Sequence, residues 1–275
     1  GKTYTIDSKA VVVAAGGFGA NQEMLVKYKP MLKGYATTNH PGATGDGLLL
    51  SEKVKAAFVD MDQIQTHPTV VETTGVMVTE AVRGNGAVLI NKEGKRYVAE
   101  DNRRDVIRDA TLAQTDQTVF QLCDTDGYEE HKKFYYEMNE AALKNGVLFR
   151  CNTIEEAAAK VKIPAAELKK TVEEFNAEVD SKKDPFGRTP KMLVRKIVKA
   201  PFYIGPFGMC RHHTMGGARI DTKARVLDRE GKVIPGLYAA GEVTGGIHGT
   251  NRVGGNAIAD IFTFGSIAGE SAAKA

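Results

Sequence analysis

A carboxylate and two guanidinium groups are set out along one run of this sequence. Residues 76–105, VMVTEAVRGNGAVLINKEGKRYVAEDNRRD, carry Met77, Thr79, Glu80 and Arg83 at one end and Arg104 at the other. Between them, apolar residues 88–90 suit a strand, Lys92-Glu93-Gly94 a turn, and residues 95–98 the returning strand. A hairpin of this kind returns the far arginine to the side of the acid and arginine at its start. Guanidinium and carboxylate groups held together serve either a structural ion pair or a site for an anionic substrate. Other groups of similar chemistry lie far off in sequence. His67 stands before Pro68, which keeps it extended, and is by its pattern either a core histidine or a ligand. Arg211, His212 and His213 lie beside Gly216 and Gly217. Adjacent histidines on a strand point to opposite faces, so these two do not ligate one metal together. His248, Asn251 and Arg252 precede the run GGNAI at residues 254–258.

The elements that must position these groups follow from the pattern of apolar residues. The run AVVVAA at 10–15 is continuous and reads as a parallel strand buried on both faces. Gly16, Gly17 and Gly19 come next, ahead of a short helix over 21–28. Glycines after a strand let backbone approach a ligand closely, although the spacing does not complete GxGxxG. The loop PGATGDG at 41–47, with Thr44 or Asp46 as N-cap, opens a helix running to about residue 58. Further helices are expected over 103–113 and 128–143, with a strand over 118–123 between them. Thr153 and Glu156 form a capping box for a helix ending near 162. Pro164 starts a longer helix with Leu168, Val172 and Phe175 on one face, and 181–190 is a polar loop. This helical middle differs from the glycine-rich ends and reads as an insertion. Strands over 220–227 and 233–238 flank a Glu230-Gly231 turn. LYAAGEVTGG then repeats the opening pattern and places Glu242 after its glycine. A last helix, 256–273, is rich in small residues, and its N-terminus at Gly255 to Ala257 offers free N–H donors.

The chain has 275 residues, room for one large domain or two ordinary ones, and a formal charge of +3. No long basic run is interleaved with aromatics, which argues against nucleic acid as a partner. No apolar run is long enough to span a bilayer. Cys123, Cys151 and Cys210 are far apart, with no CxxC, which argues against a zinc site, a disulfide framework or an attached haem in this segment. The first residue is Gly1 and the sequence runs at once into a core strand, so a fragment or a split chain is expected.

AAGGFGAN, NHPGATGDG, QTHPT, VMVTEAVRGNGAVLINKEGKRY, the arginine of NRRD, HHTMGG, PGLYAAGEVTGGIHGTNRVGGNAI and FGSIAG occur in this order from Ala14 to near the end. Together they resemble the C-terminal portion of the flavoprotein fumarate reductases, above all the soluble flavocytochrome c type. The resemblance implies an α/β fold: a doubly wound flavin-binding domain, incomplete at its N-terminus, interrupted by an α+β capping or clamp domain. It maps as flavin domain over 1–60 and 212–275 and clamp over 61–211. It implies FAD as cofactor, with the pyrophosphate-binding GxGxxG loop on an N-terminal segment or companion chain. Any c-type haem would also lie there. The implied electron donor is a haem domain or cytochrome, the implied process anaerobic respiration, and the expected compartment the periplasm, with the cytoplasm as alternative.

Residue by residue, the resemblance makes Arg104 the proton donor, with Glu80 and Arg83 relaying protons to it. His67 and Thr79 hold one substrate carboxylate, with Met77 close by. His212 and Arg252 hold the other, beside Gly255. Ala15, Gly16, Gly17, Gly45, Asp46, His213, Gly241, Glu242, Ala257 and Ile258 line the flavin. The implied reaction is reduction of the C=C bond of fumarate to succinate. It needs a hydride, which no side chain supplies and reduced flavin does, and a proton. Cationic donors aimed at the carboxylate stabilise the charge that gathers there. By pKa alone a histidine is the expected proton donor, because a free arginine holds its proton above about pH 12. The resemblance gives that part to Arg104, and desolvation beside a substrate is what would disfavour a guanidinium's charge. Alternatives are the same chemistry on urocanate, methacrylate or an acrylate, or a non-catalytic fragment that binds carboxylate.

Overall fold

In chain order the computed structural model, which describes residues 2–71, 76–78 and 80–275, places strands and helices as follows. Strand β1 is Val11–Val13, helix α1 Gln22–Tyr28, α2 Asp46–Lys53, β2 Phe58–Val59, β3 Ile64–Val71 and β4 Val76–Met77. Then come α3 Glu80–Gly84, β5 Val88–Asn91, α4 Arg104–Leu112, β6 Val119–Cys123, α5 Thr125–Lys144 and β7 Phe149–Cys151. Helices α6 Ile154–Val161 and α7 Ala165–Ser181 precede β8 Phe202–Thr214, β9 Gly217–Ala218, β10 Arg225–Leu227, β11 Val233–Ala239 and α8 Asn256–Ala273. The architecture is α/β with open sheets. It divides into two compact units, Gly1–Thr66 with Arg211–Ala275, and His67–Cys210. The chain passes from one unit to the other within β3 and returns within β8.

In the first unit β1 pairs in parallel with β11, and β10 pairs antiparallel on the other side of β11. Phe18, Leu25, Leu32, Leu48, Ala56, Ile64, Val226, Ala239 and Val243 form its core, and α8 packs Ala268 against Tyr238 and Ala240. The parallel pairing agrees with the sequence pattern, but the expected burial of β1 on both faces does not. Val11 is 52% and Val12 41% exposed. Among the described residues β1 has β11 as its only strand neighbour, so one edge of the strand and much of its side-chain surface stay open. Leu50, Ile258, Ile261 and Phe262 are likewise exposed.

Two local expectations change. Helix α2 starts after Gly45, whose φ of 79° is left-handed, and no side chain caps it. The Thr44 hydroxyl donates to the Gly42 carbonyl instead, and Asp46 is already inside the helix. The helix stops at Lys53 rather than 58, because Lys55 turns to φ 62° and Phe58 pairs with Ala218 in the next strand. The expected strand over 220–227 shortens to β10. The Asp221 carboxylate accepts from the N–H groups of Lys223 and Arg225, closing a turn in which Ala224 has φ 57°.

In the second unit the strand order is β4-β3-β8-β6-β5, with β7 also on β8. Helices α6 and α7 cover it, burying Ala157, Leu168, Val172 and Phe175 against Val88, Ile90, Phe120, Leu122 and Ile204. The Thr153 hydroxyl accepts from the N–H of Glu156, as its sequence predicts. The proposed hairpin keeps its turn, with the Asn91 N–H donating to the Lys95 carbonyl, but its return strand shrinks to one bridge, Ile90 with Arg96. The main strand partner of β5 is β6. Arg96 is drawn into ion pairs with Glu100, Glu178 and Asp184, which takes its segment away from the ladder.

Candidate functional site

The second unit gathers its ionisable residues on short elements near the ends of β3 and β4. His67 and Thr69 are two apart on β3 and therefore share a face. Glu80 opens α3, Arg83 lies one turn later, and Arg104 opens α4. Glu80 Oε1 accepts from Arg104 Nε at 2.5 Å and lies 3.4 Å from His67 Nε2. The Thr69 N–H donates to His67 Nδ1 at 3.4 Å, which leaves the ring proton on Nε2, facing Glu80. Arg83 is buried; its Nη1 donates to Thr69 Oγ1 at 2.6 Å and its Nε to the Glu100 carbonyl at 3.1 Å. The Thr69 hydroxyl in turn donates to the Val78 carbonyl at 2.7 Å.

The electrostatics follow from burial and these contacts. Burial pushes His67 down to about 4, with Glu80 opposing and Arg104 and Arg83 adding to the shift, so the ring is neutral at pH 7. Burial raises the Glu80 carboxyl, but the hydrogen bonds from His67 and Arg104 outweigh it and hold Glu80 ionised well below the usual carboxylate range. Burial lowers Arg83 to about 10, against the pull of Glu80 and with the push of Arg104. The group is thus a carboxylate between a neutral imidazole and a guanidinium, with a second, loosened guanidinium one hydroxyl away. Such a set can hold an anion and exchange a proton.

His67, Glu80, Arg83 and Arg104 are therefore brought together. Met77 is not part of this ionic group. It stands opposite Val70 in the β3–β4 register and lines an apolar cavity of about 50 Å³ with Val71, Val82, Tyr128 and Tyr203. Thr79 lies outside the described residues. Thr69 was not singled out from the sequence, although its place two residues after His67 on a strand is the signal that would have found it.

In the first unit, His212 and His213 have different partners, as their opposite faces require. His212 Nδ1 is 2.8 Å from Thr38 Oγ1, and the His212 carbonyl accepts from Asn39 Nδ2 at 2.8 Å. Arg252 is buried; Gln65 Nε2 donates to its carbonyl at 2.8 Å and to Asn251 Oδ1 at 2.9 Å. Gly255, with φ 88°, ends the loop and starts α8. Thr38 and Gln65 are further residues that the sequence pattern did not mark.

The remaining candidates form a cradle in the same unit. The Gly45 N–H donates to the Gly17 carbonyl, tying the two glycine loops together. A Cβ on Gly17 would lie 2.1 Å from Thr214 Oγ1 and 2.5 Å from Glu242 Oε1, so only glycine fits. Gly16 takes φ 73° beside it, next to Ala15. Glu242 Oε1 accepts from the N–H and hydroxyl of Thr214 at 2.9 and 2.8 Å, and its Oε2 is 3.1 Å from His213 Nδ1. Burial raises the Glu242 carboxyl, but His213 and Thr214 bring it below its ordinary value. His213 meets His248 edge-on at 5.4 Å, and His248 Nε2 is 3.1 Å from Asp260 Oδ2 on α8. Gly241, with φ 80°, abuts Ile261 of α8. Ala257 and Ile258 form the first turn of that helix, and Asp46 the first turn of α2. His248, Asp260 and Thr214 extend the cradle beyond the expected residues.

These residues fit a flavin. His213 Nε2 and Asp260 Oδ1 are buried with no hydrogen-bond partner among the described residues. The eighteen-residue α8 begins at a glycine with no side-chain cap; the N–H groups of Asn256 and Ile258 turn back to the carbonyls of Val253 and Gly255, which leaves that of Ala257 for a polar ring edge or phosphate. Exposed Ile258, Ile261 and Phe262 add apolar surface.

Comparison with known proteins agrees with this arrangement. The family described as "FAD binding domain" matches residues 1–258. The cytochrome-type fumarate reductase of Shewanella frigidimarina is 45% identical over 271 residues, covering 98% of this chain and 46% of that protein. The urocanate reductase of Eggerthella lenta is 42% identical over 280 residues, with 99% of this chain and 46% of that protein covered. A solved structure, the open conformation of a flavocytochrome c3 fumarate reductase, matches with a TM-score of 0.74 and 41% identity over 97% of this chain and 46% of its own. The chain spans about half the length of these relatives. Both the cradle and the matched residues lead to one assignment: the chain belongs to the FAD binding domain family and is similar to the flavoprotein fumarate reductases.

Proposed function

We propose that the protein reduces the C=C bond of fumarate to succinate, as part of an FAD-dependent oxidoreductase. The observation that carries this reading is the Glu80 carboxylate, in contact with Arg104 Nε at 2.5 Å and with His67 Nε2 at 3.4 Å. A bound, reduced flavin would supply the hydride that the reduction needs. Arg104 gives a proton to the alkene, and Glu80 with Arg83 restores it from solvent. Burial of Arg83 lowers its hold on its proton, which suits a relay. Carboxylate binding is assigned to His67 and Thr79 and, separately, to His212 with Arg252; Met77 and Gly255 are assigned to substrate contact. A neutral His67, its Nε2 proton facing Glu80, brings no further charge to the group. Cationic and hydrogen-bonding groups of this kind stabilise charge gathering on a carboxylate.

Ala15, Gly16, Gly17, Gly45, Asp46, His213, Gly241, Glu242, Ala257 and Ile258 hold the flavin. In this reading the first unit is the C-terminal part of the flavin domain and the second is the clamp. The side chains of Val11, Val12 and Leu50, exposed here, are covered in this reading by the remainder of the flavin domain. Its electrons come from a haem segment or cytochrome in the periplasm. No helix among the described residues is long and apolar enough to cross a membrane.

The same chemistry on urocanate is the second reading, favoured by the identity to a urocanate reductase. The two are separated with the full-length, flavin-loaded protein. Its flavin is reduced anaerobically, and reoxidation by fumarate, urocanate, methacrylate or acrylate is followed by absorbance. Fumarate is expected to react fastest. Faster reoxidation by a monocarboxylate, with fumarate inert, contradicts the dicarboxylate assignment.

A further inference from the structure

Arg188 belongs to none of the site groups, yet it is among the most buried side chains of the protein. It lies in the polar stretch between α7 and β8. The Asp184 carboxylate shapes that stretch by accepting from the N–H groups of Phe186 and Arg188, at 2.8 and 3.2 Å. Arg188 Nη2 donates to the carbonyl of Arg83 at 2.5 Å. Its Nη1 donates to the Ala87 carbonyl at 3.3 Å and to Glu100 Oε2 at 3.1 Å. The guanidinium also lies over Phe175, 5.5 Å from the ring centre.

Glu100 is the hub of this arrangement. It is buried, and its Oε1 accepts from the Leu89 N–H at 3.2 Å and from Arg96 Nε at 2.9 Å. Its Oε2 accepts from Arg96 Nη2 at 2.7 Å as well as from Arg188. Its carbonyl accepts from Arg83 Nε. Arg188, Arg83 and Glu100 therefore close a ring: side chain to carbonyl, side chain to carbonyl, and side chain to side chain.

The ring joins the two elements that carry the proposed proton path. Helix α3 holds Glu80 and Arg83 in five residues, too few to be stable alone, and its last carbonyls have no partner within the helix. Arg188 adds a side-chain donor to the Arg83 carbonyl, which also accepts from the Gly86 N–H, and holds the Ala87 carbonyl three residues beyond the helix. Through Glu100 the same guanidinium grips the loop that runs into Arg104. An apolar core would stabilise the unit as well as a buried ion pair does, so the pair's particular contribution is geometric.

We propose that Arg188, with Glu100 as its counter-ion, is a positioning residue for proton delivery: it fixes the helix bearing Glu80 and Arg83 against the loop leading to Arg104. This rests on the proton-donating part given to Arg104 above. Arg188 touches neither substrate nor flavin in this scheme. Its loss slows the proton step and leaves substrate binding in place.

The test uses the full-length, FAD-loaded protein with two variants, Arg188→Lys and the charge-balanced pair Arg188→Met with Glu100→Gln. Lysine keeps the charge but cannot span both carbonyls and the carboxylate. Bound flavin and the KM for fumarate are expected to stay within about twofold of the parent, while kcat falls about tenfold or more. The solvent deuterium isotope effect on kcat should rise, because proton delivery becomes limiting. A kcat within about twofold of the parent in either variant overturns the inference. So does a loss of rate that only tracks lost flavin or a raised KM in both. If the parent protein fails to reduce fumarate, or Arg104→Ala keeps its rate, the reading above falls and this inference with it. Failure in the Arg188 variants alone overturns only the inference.

Discussion

Glu80 Oε1 accepts from Arg104 Nε across 2.5 Å, and the two residues are the first residues of α3 and α4. A carboxylate at a helix N-terminus is favoured by the helix dipole, and Arg104 opposite it holds that charge in place. Twenty-three residues separate the pair, among them β5 and its turn. The contact therefore depends on tertiary packing and not on either helix alone.

Replacing Glu80 by glutamine keeps the size of the side chain and removes its charge. Glu80→Gln should lower fumarate turnover by about a hundredfold, the scale of a lost acid–base group. Flavin content should not change, because Glu80 lies in the unit that holds none of the cradle residues. Stopped-flow reoxidation of the reduced flavin, beside a flavin absorbance spectrum, measures both quantities.

Acid should unfold the second unit early. His67 titrates near 4 in the folded protein against 6.5 ordinarily, so between those values the unfolded chain binds more protons. Stability is then greatest above pH 6.5 and is lost as pH falls through that window, on the order of 3 kcal/mol for the single group. Glu80, held ionised, acts in the same direction at lower pH. Urea unfolding from pH 7.5 to 4 should show the loss, and His67→Gln should flatten its upper part. An equal slope in parent and variant would assign the acid sensitivity to other groups.

Gly17→Ala should empty the cradle. The new methyl would lie 2.1 Å from Thr214 Oγ1, a hydroxyl tied to Glu242. Moving either group displaces the contact of Glu242 with His213. FAD affinity is expected to fall about tenfold or more, equivalent to about 1.4 kcal/mol, in a titration of apoprotein followed by fluorescence.

Phe175 is fully buried in the core between α7 and the sheet, and it also lies beneath the guanidinium groups of Arg96 and Arg188, at 4.9 and 5.5 Å. Phe175→Ala should cost about 3–5 kcal/mol in chemical denaturation, by cavity formation and lost burial. Phe175→Leu keeps most of the volume and gives up the cation–π contacts, each about 1–2 kcal/mol when desolvated.

Much of the fold could be read from local pattern. Helix α8 runs over the residues that its small apolar repeat marks, α7 begins after Pro164, and Thr153 caps α6. These features depend on residues three or four apart, and so a sequence displays them. Where contacts at long range decide, the pattern was insufficient. Gly45 displaced Thr44 and Asp46 as the cap of α2 because its N–H bonds to Gly17, twenty-eight residues earlier. The return strand after Gly94 yielded to the ion pairs of Arg96 with Glu178 and Asp184. The stretch 181–190 looked like a plain polar loop, yet Arg188 within it is buried against residues up to 105 positions away. Among the site residues, motif order marked Glu80, Arg83 and Arg104. Of the side chains that hold them or their counterparts, Thr69 is marked only by its place two residues after His67, and Thr38 and Gln65 carry no pattern of their own.

Turnover of fumarate by Arg104→Ala tests the central claim most directly. The full-length variant should keep its flavin spectrum and lose about a thousandfold in kcat, within the range expected when a general acid is removed. A flavin-loaded Arg104→Ala protein that reduces fumarate at close to the parent rate would contradict the account, since the proton would then come from another group.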